Sequence, residues 1–402
     1  MSQINLGGFF ENFLKKDPLF VDKNVLQSNY TPETIPHRED QVKQVASILA
    51  PSLRLEKPSN LFVYGKTGTG KTLSIKYVTN QITEISKKKK IKLTAFYLNC
   101  KLKRIADTEY RLIAELARDM GKEIPPTGLP TDEVYKRFVD LVDSEKKIII
   151  LVLDEIDHLV KKTGDEILYN LTRLNSELKH AQLSIIGISN DLTFRDSLDP
   201  RIKSSLSEEE LHFPPYNALQ LQDILRQRAK IAFREGIVTD GVIEKCAAYA
   251  AKEHGDARRA LELLRVAGEL AERDGKGKIV IKHIDEAEEK IDSDRILNAI
   301  KVQPKQVQTT LLTITEIYSR SKESISSGDI YDLYKDYCLK CGMNPLTQRR
   351  VSDIIAELDM LGIINARVVS KGRYGRTREI RLAVPESIIY KMKEILKEGL
   401  GL

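Results

Sequence analysis

The chain has 402 residues, enough for roughly two to four domains, each able to bury a core. A hydrophobic share of 41% and a charged share of 30% are those of a globular protein, and they exclude an extended low-complexity chain. The net charge is +6, and residues 301–402 carry 17 Lys/Arg against 12 Asp/Glu, so most of the positive excess lies in the last quarter.

In chain order, residues 1–30 scatter Phe9, Phe10, Phe13 and Phe20 among charges and read as an arm loosely attached by its aromatics. Ile35-Pro36-His37-Arg38-Glu39 leads into a helix from Asp40 to about Leu49, and a proline-containing connector follows. Residues 60–216 then alternate strand and helix: Leu61–Tyr64, a helix, Ala95–Asn99, helices over 108–120 and 131–142, Ile148–Leu153, a helix over 165–180, Leu183–Ile188. Such alternation predicts an α/β sheet with parallel strands. From Asn217 to about Ser293 only helical spacing remains, and Asp292–Asp294 reads as the start of a linker. Residues 300–402 give helices over 304–320, 326–341 and 347–361, then two strand-like runs around a Gly/Arg-rich turn, a winged-helix pattern. Ile148 to Leu153, the longest wholly apolar run, is too short to span a bilayer, and Met1 to Asn5 lack a signal-peptide layout, so a cytoplasmic protein is expected. Cys338 and Cys341 form one C-x-x-C with no second pair nearby, which predicts a helical turn with two thiols. Lys87 to Lys90 reads as a solvated helix end.

Gly65-Lys66-Thr67-Gly68-Thr69-Gly70-Lys71-Thr72 fits G-x-x-x-x-G-K-[ST] between an apolar strand and a helix. Glycines let successive backbone N–H groups turn into one concavity, and the helix N-terminus adds partial positive charge. Lys71 is expected on the β- and γ-phosphates of ATP and the Thr72 hydroxyl on Mg²⁺. The strand Ile148–Leu153 delivers Asp154 for Mg²⁺ and Glu155 to activate the attacking water. Asn190, at the end of the next strand, can hydrogen-bond that water or the γ-phosphate. Arg201, in Asp199-Pro200-Arg201, suits a finger reaching a neighbour's γ-phosphate. Arg258 falls in the first turn of a helix, where the dipole disfavours a cation unless a phosphate is bound. Tyr216, in Phe213-Pro214-Pro215-Tyr216, and Arg228 are expected to wall the adenine.

In the third unit Thr347 is a good N-cap for a recognition helix that opens with Arg349 and Arg350. The turn with Lys371, Gly372, Arg373, Tyr374 and Arg376 suits a wing against DNA phosphates, and residues 366–381 hold six Lys/Arg and one Asp/Glu. The segment between Cys100 and Val134 is longer than a sheet connection needs. It carries Arg104 and an exposed-looking apolar loop, Ile124 to Pro130, with Gly128, Leu129 and Pro130 at its tip; a second contact surface and a plain connection fit it equally.

Together these residues resemble AAA+ ATPases, and more narrowly the archaeal origin-recognition initiator family. The carriers are Tyr30-Thr31-Pro32-Glu33 through Pro36-His37-Arg38-Glu39, the Gly65–Thr72 loop, Leu153-Asp154-Glu155-Ile156-Asp157, Ser189-Asn190, Leu198 to Ser205, Phe213 to Tyr216, Gly255-Asp256-Ala257-Arg258 and Arg349 to Asp353. The resemblance implies an α/β P-loop (AAA+) domain over residues 1–216, with an initiator-type insertion at about 101–131 that grips DNA. An all-α lid would span 217–293 and a C-terminal winged-helix DNA-binding domain 300–402. It implies that Asn190 is sensor 1, Arg201 the finger and Arg258 sensor 2, and it adds His37 and Arg38 to the nucleotide site. The implied function is a slow, nucleoid-associated ATPase switch that binds double-stranded origin DNA and helps load the replicative helicase, with other initiator subunits of the same family as candidate partners. An ATP-switched transcriptional regulator and a remodeller or clamp-loader-like protein remain alternatives from the residues alone.

Overall fold

The computed structural model describes residues 17–28, 30–32, 34–101, 108–122, 124–125, 128–275, 277–321, 325–370 and 376–402, and of residues 370, 376, 377 and 387 the backbone alone. Phe9, Phe10, Phe13, Arg104, Lys371, Gly372, Arg373 and Tyr374 lie outside the described residues, as does the side chain of Arg376. The chain divides into two compact units, residues 1–284 and 285–402.

The first unit holds helix α1 (Glu39–Leu49), strand β1 (Leu61–Tyr64), α2 (Lys71–Lys89), β2 (Leu93–Asn99), α3 (Glu109–Asp119), α4 (Thr131–Val142) and β3 (Ile148–Asp154). Next come α5 (Ile156–Thr163), α6 (Glu166–Arg173), β4 (Gln182–Ser189), α7 (Pro200–Leu206) and β5 (Glu209–His212). The five strands form one parallel sheet in the order β2-β3-β4-β1-β5. Strand alternation splits the core in two. Ile148, Ile150 and Val152 of β3 pack with Val45 of α1 and Ile75 and Val78 of α2 on one face. Ile149, Leu151 and Leu153 pack with Leu112 of α3, Phe138 of α4 and Leu168 of α6 on the other. A strand covered on both faces reads as a continuous apolar run, and the sequence of β3 has that character.

Some details of this α/β part differ from the sequence reading. β5 was not anticipated, because Glu209-Glu210-Leu211-His212 is an edge strand with one buried residue. The helix expected over 165–180 stops at Arg173, where Asn175 turns its side chain to Leu183, donating to its carbonyl (2.8 Å) and accepting from its N–H (2.7 Å). A further helix, α5, starts directly after Glu155.

Three helices follow in the same unit: α8 (Ala218–Ala232), α9 (Val242–Lys252) and α10 (Ala257–Asp274). α8 begins with a reciprocal capping box between Asn217 and Gln220. The described part of the arm is firmly docked here rather than loosely attached. The rings of Phe20 and Phe233 pack at a tilt with centroids 4.7 Å apart, Val21 N–H donates to Ala232 O at 2.8 Å, and Lys23 pairs with Glu269 at 2.7 Å. Gly268 of α10 makes room for this contact, since a Cβ there would meet Phe20 at 2.5 Å.

The boundary between units falls within α11 (Ile281–Lys301), so the linker start expected at Asp292–Asp294 is helical instead. The second unit continues with α12 (Lys305–Ser321), β6 (Ile325–Ser326), α13 (Ser327–Lys340), α14 (Gln348–Met360), β7 (Ile364–Ser370) and β8 (Arg376–Leu382). The hairpin β7–β8 is antiparallel, and β8 also pairs with β6. A C-terminal helix α15 (Glu386–Leu400) completes the unit and was not foreseen. Its Ile388, Met392, Leu396 and Leu400 recur every four residues and are buried in the core of α12–α14. No helix among the described residues is long and apolar enough to cross a membrane.

Candidate functional site

The loop from Gly65 to Thr72 joins the carboxyl end of β1 to the N-terminus of α2, where ligands sit in open α/β sheets. Glycine is sterically required at more than one position of the loop. A Cβ on Gly65 would lie 2.4 Å from Phe213 O, and one on Gly70, which has φ +90°, would lie 2.8 Å from the Tyr216 hydroxyl. Lys71 is 4% exposed and donates to Gly65 O and Lys66 O, both at 2.7 Å. Burial pushes its pKa down to about 8, with Asp154 partly opposing. The ammonium thus sits inside the loop on carbonyls that a phosphate would replace.

β3 lies two strands from β1, yet its end faces the loop. Thr72 Oγ1 donates to Asp154 Oδ2 at 2.9 Å, and Glu155 N–H donates to Asp154 Oδ1 at 3.0 Å. A hydroxyl and a carboxylate oxygen at this separation are hard oxygen ligands that fit Mg²⁺. Glu155 adopts left-handed backbone, φ 55° and ψ 44°, as the cap of α5. Non-glycine residues held there cluster at functional sites. Glu155 Oε2 is buried, has no hydrogen-bond partner among the described residues, and lies 3.5 Å from Lys101 Nζ. Behind Asn190, Ser189 Oγ donates to buried Asp157 at 3.1 Å and accepts from Asp191 N–H at 3.0 Å, fixing the end of β4.

The lid helix α10 closes the site from the other side. Asp256 caps it, accepting from Arg258 N–H at 2.8 Å and Arg259 N–H at 3.3 Å, while Ala257 N–H donates to Gly68 O at 3.2 Å. The resulting cavity of about 740 Å³ suits a mononucleotide. Gly68, Thr69, Gly70, Lys71, Thr72, Asp154, Glu155, Asn190, Tyr216, Arg228 and Arg258 all line it. Arg228 also stacks on Tyr30 at 4.5 Å, and burial lowers its pKa.

Gly65, Lys66, Thr67, His37, Arg38 and Arg201 do not line the cavity. Arg38 is 2% exposed and works as a strut beneath the loop. It donates to Thr69 O at 2.8 Å, His37 O at 3.0 Å and Pro214 O at 2.5 Å, with its guanidinium 3.9 Å from the Tyr216 ring centre. His37 faces Asp223 of α8 at 3.2 Å. Lys66 Nζ is 3.2 Å from His254, and Thr67 Oγ1 is 3.4 Å from Asp256. Arg201 is 67% exposed, paired with Asp199 at 3.0 Å and set 5.2 Å over the Tyr169 ring.

Sequence reasoning missed Tyr97, Lys76 and Asn99, which line the cavity, and Lys101. Tyr97 OH donates to Asp154 Oδ2 at 2.5 Å, and burial followed by Asp154 raises its pKa. The alternation Ala95, Tyr97, Asn99 along β2 was the available signal.

In the second unit Thr347 caps α14, accepting from Arg350 N–H at 3.4 Å. Arg349 and Arg350 are exposed. Arg350 is held along the helix by Asp353 (3.7 Å) and Glu357 (3.3 Å). Arg378 donates to Ser352 O at 2.7 Å and ties β8 to α14. Pro126 and Thr127 of the loop at Ile124–Pro130 lie outside the described residues, and the rest of it differs in exposure. Ile124 is buried and Leu129 half-buried against the sheet core, while Gly128 (φ +106°) and Pro130 remain exposed.

Known proteins match along the whole chain. Residues 54–195 match the AAA domain family, 222–289 the Cdc6 AAA+ ATPase-type lid domain, and 298–392 the CDC6 C-terminal winged helix domain. An ORC1-type DNA replication protein of Thermococcus onnurineus is 53% identical over 98% of this chain and 94% of its own. Its counterpart in Pyrococcus furiosus is 52% identical with the same coverage. The structure of the Aeropyrum pernix ORC1 protein in complex with DNA superposes with a TM-score of 0.81 at 42% identity, covering 95% of this chain and 98% of that one.

Proposed function

The chain belongs to the family of ORC1-type DNA replication proteins, and from that premise we propose that it is an ATP-dependent initiator that binds origin DNA and helps recruit or load the replicative helicase. The observation that carries this reading is the end-to-end likeness to an ORC1 protein solved on DNA, over both units. The three-part division into ATPase domain, lid from 217 and winged helix from 300 belongs to the same reading.

In it, ATP lies in the cavity between sheet and lid, with Lys71 on the β- and γ-phosphates and Arg258 reaching the γ-phosphate from α10. Mg²⁺, when bound with ATP, would be held by Thr72 and Asp154 and would neutralise phosphate charge. Glu155 draws the proton from the attacking water and Asn190 orients it. Tyr216 and Arg228 wall the base, and Arg38 acts through the loop it braces. Arg201 serves the site of a neighbouring initiator subunit. A chain acting alone therefore lacks that cation at its own γ-phosphate, and its turnover is slow, a switch rather than a motor. Thr347, Arg349 and Arg350 of α14, the wing residues Lys371, Gly372, Arg373, Tyr374 and Arg376, and Arg104, Gly128, Leu129 and Pro130 of the insertion contact DNA.

Mapping the DNA bound by this protein across the genome of its source cells tests the proposal. Peaks at replication start sites are expected. Peaks confined to promoters would make it a transcriptional regulator.

A further inference from the structure

We propose that Tyr97 is a positioning residue for Asp154, its hydroxyl fixing the carboxylate orientation that a nucleotide-bound Mg²⁺ requires. The inference rests on the reading of the cavity as a Mg-nucleotide site.

The geometry behind it comes from the sheet. In the parallel β2–β3 ladder Tyr97 stands opposite Val152, two residues before Asp154. Side chains two apart on a strand share a face, and two residues rise about 6.6 Å, the reach of a tyrosine. The phenol therefore arrives at Asp154 from below while Thr72 arrives from the loop, and both donate to Oδ2, at 2.5 Å and 2.9 Å. The Glu155 N–H takes Oδ1 at 3.0 Å. An ionised carboxylate offers about four lone-pair sites, so three hydrogen-bond donors leave it one lone pair to give to a metal or to accept a hydrogen bond from the metal's water.

The ring is held as well as the hydroxyl. Lys76 Nζ sits 3.8 Å from the Tyr97 ring centroid. Lys76 lies one helical turn after Thr72 on α2, so one helix carries both the hydroxyl that shares Oδ2 and the cation that clamps the phenol. A phenylalanine would keep the ring under Lys76 and lose only the donor. Partners that orient a metal-binding carboxylate commonly set metal affinity by about 10- to 100-fold.

The test compares full-length wild type with Tyr97→Phe in titrations of a non-hydrolysable ATP analogue, first in EDTA and then across a Mg²⁺ series, with Mn²⁺ binding to the nucleotide complex read by electron paramagnetic resonance. The expected result is unchanged affinity in EDTA and a metal midpoint raised about tenfold. Equal midpoints would overturn the assignment. So would loss of affinity in EDTA, or a variant that does not fold, since either makes Tyr97 a general support of the fold. A wild type whose nucleotide affinity ignores Mg²⁺ would instead remove the reading of the cavity itself, and this assignment with it.

Discussion

Asp256 Oδ1 stands where a side chain on Gly68 would begin: a Cβ there would lie 1.7 Å from it. The same carboxylate caps α10, so one group both starts the lid helix and presses on the phosphate loop. Gly68→Ala adds the strain of φ +68°, on the order of 1 kcal/mol or more, and drives the cap off the loop. The melting temperature should fall by several degrees and nucleotide affinity should drop. Adding Asp256→Gly should restore part of both, because glycine caps a helix at a cost of only a few tenths of a kcal/mol. Strictly additive losses in the double-mutant cycle would contradict a direct clash.

Lys71 gives the site a pH dependence. With its pKa near 8 in the free protein, the ammonium is charged below that pH and ready for phosphate. Above pH 8 the free protein gives up the proton while the phosphate-bound form keeps it. Binding must then take up a proton, and affinity should fall by up to about tenfold per pH unit. The fold responds in the opposite sense. An unfolded lysine keeps its proton up to 10.5, so relief of the buried charge stabilises the free protein as pH rises from 8 toward 10.5. Calorimetric titrations from pH 7 to 9.5 would show the effect; a flat profile would mean the amine stays charged throughout.

Glu155 and Lys101 should act in opposite directions on turnover. Glu155→Gln should bind ATP normally and hydrolyse it at least about 100-fold more slowly. Lys101→Ala removes the cation 3.5 Å from the carboxylate and should raise turnover. The increase should be no more than severalfold, because Lys101 is 63% exposed and its pairing is weakened by water. Single-turnover assays separate the two, and a slower Lys101→Ala would assign the lysine a supporting role in hydrolysis.

The two arginines that open α14 should differ on DNA. Arg350 must leave Asp353 and Glu357 to reach a phosphate, whereas no ion pair holds Arg349 among the described residues. Arg349→Ala should reduce the salt slope of binding by about 0.9, as expected for one lost phosphate contact. Arg350→Ala should change it less. Equal slopes for both variants and the wild type would take the start of α14 out of the DNA interface.

The parts legible in the sequence were those whose physics is local. The loop Gly65–Thr72 needs its glycines and lysine at fixed spacing, and β3 needs an unbroken apolar run because both its faces are covered. Asp154, Glu155 and Asn190 line the cavity from the strand ends that suggested them, since strand ends that abut a phosphate loop are where ligands sit. β5 was hidden because an edge strand with one buried residue carries almost no apolar pattern. The residues read as a linker start, Asp292–Asp294, lie within a helix whose flanking turns are packed, with Ile284 and Ala287 buried before them and Leu297 and Ile300 after them.

The sequence by itself determined that a nucleotide loop, two carboxylates and a basic winged helix share one chain. Only the tertiary structure decided how they are wired. It placed Arg38 under Thr69 and Pro214, outside the cavity lining, and it set Arg201 away from the cavity. It brought Asp256 against Gly68, 188 positions earlier in the chain, and Tyr97 and Lys101 onto the carboxylate pair. These contacts depend on strand register and on helices meeting across the sheet edge. Such long-range relations are fixed by packing the whole core, and no local run of residues encodes them.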